Sequence, residues 1–189
     1  MKKVSVTLLV FFAFGLVLVA CATPPKEEMD KALDAVFRAE NDPDAVAYAP
    51  LLLVRARDSL TRMQSEADAK NYDEAKRFAA EAVNNAERAI SDGRIAAARA
   101  KEEAARLLAD LPDNLAETTN TINTAGRLPG LDDFTGEVDL ARDTFDNAQQ
   151  HFEDENYIDA ISNAETVRSL LSDVNSRING AAGAASRKK

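Results

Sequence analysis

One cysteine, one histidine and no tryptophan occur among the 189 residues, and aromatic side chains of all kinds make up only 6%. A single cysteine excludes an internal disulfide, so stability has to come from packing. The lone histidine, His151, has neither a second histidine nor a free thiol with which to complete a zinc or Cys–His site, and beside Phe152 it reads as a surface residue. Also missing are calcium-loop spacing, a glycine-rich phosphate cradle and a nucleophile elbow. Carboxylates do cluster, at Asp132-Asp133 and Glu153-Asp154-Glu155, but neighbouring helical side chains point in different directions and acidic surface runs are ordinarily solvated. The reading is therefore of a non-enzyme with no catalytic, cofactor-binding or metal-ligating residues.

Positive charge is scarce as well: 23 Lys and Arg stand against 32 Asp and Glu. That balance argues against nucleic-acid binding. It also disfavours a body lying flat on an anionic lipid surface.

Long apolar runs are absent except at the start. Lys2 and Lys3 precede Val4 to Ala20, a stretch free of charge and made mostly of Val, Leu, Phe and Ala. About 17 residues is near the lower limit for a spanning helix. The run closes on Leu18-Val19-Ala20-Cys21 and then changes abruptly to Ala22-Thr23-Pro24-Pro25. These four residues resemble the lipobox of bacterial lipoproteins, which implies cleavage between Ala20 and Cys21 and acylation of the Cys21 thiol. Residues 1–20 are thus expected to be a signal peptide and 21–25 a lipidated linker. The resemblance further implies a thioether-linked diacylglycerol and a third, amide-linked chain, and stable anchoring needs at least two such signals. Loss of the leader removes Lys2 and Lys3, leaving 21 basic residues, 32 acidic ones and a formal charge of −11. With Ala22 rather than Asp after the cysteine, the expected address is the outer membrane, with the body in the periplasm.

From Lys26 the chain is rich in Ala, Glu, Lys, Arg and Leu with apolar steps of three and four, which predicts an all-α fold. A first helix is expected over Lys26 to Glu40, with Met29, Leu33, Val36 and Phe37 on one side and a stop at Asn41-Asp42-Pro43-Asp44. A second follows Tyr48-Ala49-Pro50. The stretch from Tyr72 reads as one helix to about Ala109, about 55 Å long at 1.5 Å per residue, ended by Leu111-Pro112-Asp113. Asp113 is expected to cap a short helix through Asn123, and Gly126 to Gly136 to form a loop. The tail from Gly180, ending in Arg187, Lys188 and Lys189, is expected to be flexible.

Two segments repeat. Ala56-Arg57-Asp58-Ser59-Leu60 returns as Ala141-Arg142-Asp143-Thr144-Phe145, and Asn71-Tyr72-Asp73-Glu74-Ala75 as Asn156-Tyr157-Ile158-Asp159-Ala160, both 85 residues on. The stripe Leu53, Ala56, Leu60, Met63, Ala67 maps onto Val138, Ala141, Phe145, Ala148, Phe152. Likewise Ala75, Ala79, Ala82, Ala86 and Ala89 map onto Ala160, Ala164, Val167, Leu171 and Val174. A helical hairpin present twice is the reading. The expected architecture is an elongated antiparallel bundle of about five helices: an N-terminal bundle over 26–110, a connecting segment over 111–136, a second hairpin over 137–179 and a basic tail over 180–189.

Ala32 to Ala39, Tyr48-Ala49-Pro50, the Ala56 to Leu60 stripe, and Asn71 to Ala75 with Phe78-Ala79-Ala80-Glu81-Ala82 resemble a helical domain of unknown function in bacterial envelope lipoproteins. Domains of that kind are often found beside OmpA-like peptidoglycan-binding modules. The resemblance and the leader together imply a membrane-anchored, non-catalytic scaffold or protein-interaction module. Its partners would be the bilayer, through acylated Cys21, and an envelope protein or a second copy of the chain. The alternative is a small-molecule or lipid-binding lipoprotein with a pocket near Phe134, Phe145, Phe152 and Tyr157.

Overall fold

A computed structural model describes residues 23–125 and 134–186. They form six α-helices and, among the described residues, no strand: α1 Lys26–Glu40, α2 Pro43–Tyr48, α3 Pro50–Asp68, α4 Tyr72–Ala125, α5 Thr135–Glu153 and α6 Tyr157–Ser186. The all-helical expectation holds. The chain divides into two compact units, one up to Gly93 and one from Arg94. Helix α4 supplies its first part to one and its remainder to the other.

In the first unit, α1, α3 and the start of α4 close over one core. Ala32, Ala35, Val36 and Ala39 of α1 meet Leu53, Ala56 and Met63 of α3 and Phe78, Ala79, Ala82, Ala86 and Ala89 of α4. Alanine at this density lets helix backbones approach closely. The ion pairs Glu40–Arg57 and Glu28–Lys76, the latter at 4.0 Å, join the end of α1 to α3 and its start to α4, so α3 runs back antiparallel to α1. The Asn41 to Asp44 segment does stop α1, but it also starts α2, a helix the periodicity did not suggest. The Asp42 carboxylate accepts the Ala45 amide at 2.9 Å, and Pro43 fills the first turn, where no amide is needed. Helix α2 lies so close to α4 that a Cβ on Gly93 would stand 2.7 Å from the Asp44 carbonyl carbon and oxygen and 2.8 Å from the Ala45 nitrogen. Only glycine fits there.

The second unit repeats the plan with the end of α4 as its first helix. Leu107, Leu111 and Leu115 pack on Ala141 and Ala148 of α5 and Ala164, Val167 and Leu171 of α6. Here three expectations fail. Helix α4 does not end at Leu111-Pro112-Asp113 but carries Pro112 inside it to Ala125, so Asp113 caps nothing. An internal proline costs roughly 3 kcal/mol. Burying Leu111, Leu115 and their neighbours is worth about 1.5–3 kcal/mol for each large side chain, and Pro112 itself sits on the exposed side of the helix. Helix α5 begins at Thr135 rather than Glu137. The tail is helical through Ser186, because its alanines outweigh Gly180 and Gly183; Arg187, Lys188 and Lys189 lie outside the described residues.

The backbone hydrogen bonds of the two hairpin turns correspond one to one. The Asn71 amide donates to the Glu66 carbonyl and the Asn156 amide to that of His151, both at 2.8 Å. Lys70 and Glu155 donate one residue earlier, to Ala67 and Phe152. Every one of these residues has its counterpart 85 positions away. The first helices also correspond, one residue further out of step: Met29, Ala32, Val36 and Ala39 face their core as Leu115, Thr118, Ile122 and Ala125 do, each 86 apart.

Volume distinguishes the copies. Ala49, Ala89 and Gly93 of the first are replaced by Phe134, Val174 and Ile178 of the second, where they form a cluster with Ala125. The small trio leaves room for α2, and the large trio fills the corresponding space. Arg177 lies 4.6 Å over the Phe134 ring and pairs with Glu137 at 3.0 Å, closing that end.

Candidate interaction surface

Two side chains on the expected apolar side of α1 do not face the core. Leu33 and Phe37 are 46% and 65% exposed, since α1 turns Ala32, Ala35, Val36 and Ala39 inward instead. Leu51 and Val54 of α3 are exposed as well, at 74% and 53%, with Val46 of α2 close to them in sequence. One turn separates Phe37 from Glu40 and Val54 from Arg57, and Glu40 and Arg57 are paired. Because α1 and α3 run antiparallel, Leu33 and Phe37 lie on one side of that ion pair along the helices and Val54 on the other, with Leu51 one turn beyond Val54.

The second unit provides an internal control. At the positions matching Leu33 and Phe37 it carries Thr119 and Asn123, and at those matching Leu51 and Val54 it carries Gly136 and Asp139. Arg142, the counterpart of Arg57, bonds Asp139 at 3.2 Å and reaches the Thr119 hydroxyl at 3.4 Å. The same fold is thus built without apolar side chains at these four positions, its exposed Leu140 standing instead at the counterpart of Arg55. Exposed apolar residues on the first unit are not a packing requirement, and contiguous ones mark contact surfaces.

Grooves also run between the first and third helices of each unit. In the first unit, besides one of about 660 Å³ whose lining includes Asp30, Asp34 and Arg38, a groove of about 330 Å³ is lined by Glu28, Lys31, Lys76, Ala79, Val83 and Glu87. Its counterpart in the second, about 650 Å³, is lined by hydrogen-bonding groups that include Asn114, Glu117, Arg168, Ser169 and Ser172. The latter holds a part-buried polar pair: the half-buried Asn175 amide donates to the hydroxyl of buried Thr118 at 2.9 Å. Ala32 and Ile90 occupy the equivalent positions in the first unit. Exposed charge pairs shift one another's titration. The Lys31 ammonium holds the Glu27 carboxyl below its usual range through a 2.7 Å hydrogen bond and is itself raised by it, and the hydrogen bond that Arg77 donates to the Glu74 carboxylate raises the guanidinium.

The expected site residues are distributed as follows. Leu18, Val19, Ala20 and Cys21 lie outside the described residues. His151 is half-buried near the second turn, where its carbonyl accepts from Asn156. Phe134, Phe145, Phe152 and Tyr157 belong to three packing clusters of the second unit: Phe134 with Val174 and Ile178, Phe145 on the Leu107 cluster, and Phe152 with Tyr157. The last two rings lie 5.5 Å apart and tilted by 60°. No group of acidic, histidine or cysteine side chains suited to a metal occurs among the described residues. No helix among them is long and apolar enough to cross a membrane.

A family model described as a domain of unknown function, DUF4398, matches residues 27–107. A DUF4398 domain is therefore present. It covers the first unit and continues along α4 into the second, ending at the first leucine of the second core. No curated protein and no solved structure matches the chain. What sequence reasoning missed is the exposed face. The signal was available, because four apolar positions of the first copy fall on three polar residues and a glycine of the second.

Proposed function

We propose that the protein is a non-catalytic lipoprotein, held to an envelope membrane by acylated Cys21, whose helical units serve as a protein-interaction scaffold. The observation that carries the interaction is the set of exposed apolar side chains on α1 and α3, absent from the matching positions of the second unit. Leaving such side chains in water forfeits part of the roughly 1.5–3 kcal/mol that burying each would contribute. A partner recovers it. The tether rests on the Leu18 to Cys21 sequence, and only Ala22 to Pro25 separate Cys21 from α1, so the first unit would work close to the lipid surface. Ala22 supports the outer membrane, with the body in the periplasm.

In-cell photo-crosslinking tests this reading. A photoreactive residue at Phe37 or Val54 should give discrete crosslinked products, and one at Asn123 or Asp139 should not. Equal labelling from all four positions, or none from any, would remove the scaffold assignment.

A further inference from the structure

We infer that the partner on the α3 face is a second copy of this chain, docked antiparallel along α3 about a two-fold axis; this rests on the scaffold reading above. The face is formed by Leu51, Val54, Arg55 and Asp58, which fall one turn apart on the outward side of α3, opposite buried Leu53, Ala56 and Met63. Arg55 and Asp58 are both exposed. Most neighbouring charges are engaged: Arg57 with Glu40, Arg38 with Asp34, Arg77 with Glu74 and Glu81, and Arg62 over the Phe78 ring. Arg55 and Asp58 enter no ion pair or side-chain hydrogen bond among the described residues, and although three residues apart on one helix they do not pair with each other.

Their order makes the face self-complementary. In an isologous contact, residue i of one copy meets residue j of the other and j meets i. Antiparallel α3 helices related by an axis between positions 56 and 57 set each Arg55 against the other copy's Asp58, giving two ion pairs from two residue types. A parallel arrangement in register would instead oppose Arg55 to Arg55 and Asp58 to Asp58. Leu51 and Val54 then fall inside the contact and lose their exposure to water. The second unit could not form this contact, because Leu51, Val54 and Arg55 correspond there to Gly136, Asp139 and Leu140.

The test is sedimentation equilibrium of the full chain in density-matched detergent over a range of protein concentrations, with helicity and melting followed by circular dichroism. The native protein is expected to dimerise reversibly, and Leu51→Asp to raise the dissociation constant by at least about tenfold while leaving the melting curve in place. Arg55→Asp and Asp58→Arg should each weaken the dimer by bringing like charges together. The double variant Arg55→Asp/Asp58→Arg should restore it, since the swapped pair is again complementary across the axis. A monomer at every concentration would overturn the inference, as would a dimer indifferent to Leu51→Asp or a double variant no better than the singles. Photo-crosslinking from Val54 separates the two levels. Crosslinks to a different protein alone would remove self-association and leave the scaffold, whereas no crosslink from either exposed helix would remove both.

Discussion

Lys70 and Glu155 stand 85 residues apart and are the two non-glycine residues with positive φ among those described, at 64° and 61°. Each ends the first helix of its hairpin in the left-handed conformation, which suits glycine better than a side chain. Lys70→Gly and Glu155→Gly should therefore each stabilise the protein, by roughly 0.5–1 kcal/mol, since relief of the Cβ clash exceeds the added chain entropy. Thermal melting of the two variants checks this. Similar gains would confirm that the turns are equivalent in energy as well as geometry.

Gly93 and Gly180 should respond in opposite directions to alanine. A Cβ at Gly93 meets the backbone of α2, which cannot rotate away as a side-chain tip can. Gly93→Ala should cost about 1–3 kcal/mol through overpacking. Nothing lies within 4 Å of a Cβ at Gly180 in α6, so Gly180→Ala should gain up to about 1 kcal/mol of helix propensity. Chemical denaturation of both variants gives the two signs.

The Asn175–Thr118 pair is suited to a double-mutant cycle. Asn175→Ile alone removes the partner of a hydroxyl on Thr118, a residue only 1% exposed, and should cost about 1–3 kcal/mol. Thr118→Ala/Asn175→Ile recreates the Ala32 and Ile90 combination of the first unit and should recover most of the loss. A double variant no more stable than the single would show that the groove floor does not tolerate the first unit's packing.

Acid and alkali should both weaken the first turn of α1. Lys31 depresses the Glu27 carboxyl, so its contribution is present above the ordinary glutamate range and lost as the pH falls through the lowered value. Lys31 is raised by the same contact, so its contribution is present at neutral pH and lost as the pH rises through the raised value. Because the pair is fully exposed, the effect is small and screened by salt. The melting temperatures of the native protein and Glu27→Gln should differ most near neutrality and converge at either extreme.

Much of the fold was legible because helical periodicity and an 85-residue repeat are local signals. The bounds of α1 and α3, the Asn-Tyr turns and the inward alanine stripe of α4 all follow from them. Pro112 misled because its cost is local while the compensating burial of Leu111 and Leu115 arises only from tertiary packing. Asp42 and Pro43 marked the start of α2 as clearly as the end of α1, but six residues are too few to show a period. Leu33 and Phe37 share an apolar side with Met29 and Val36, and periodicity alone does not separate the buried pair from the exposed one. Four alanine-dominated positions buried themselves in their place, since a thin interface admits small side chains first. Cys21 was singled out by sequence alone, from its position behind an apolar leader.

Mass spectrometry of the N-terminal peptide of the protein purified from membranes tests the tether most directly. The expected peptide begins at Cys21 and carries the mass of a thioether-linked diacylglycerol, and Cys21→Ser should release the body into the soluble fraction. A peptide that begins upstream of Cys21 with a free thiol, in a protein that still fractionates with membranes, would contradict the lipoprotein assignment.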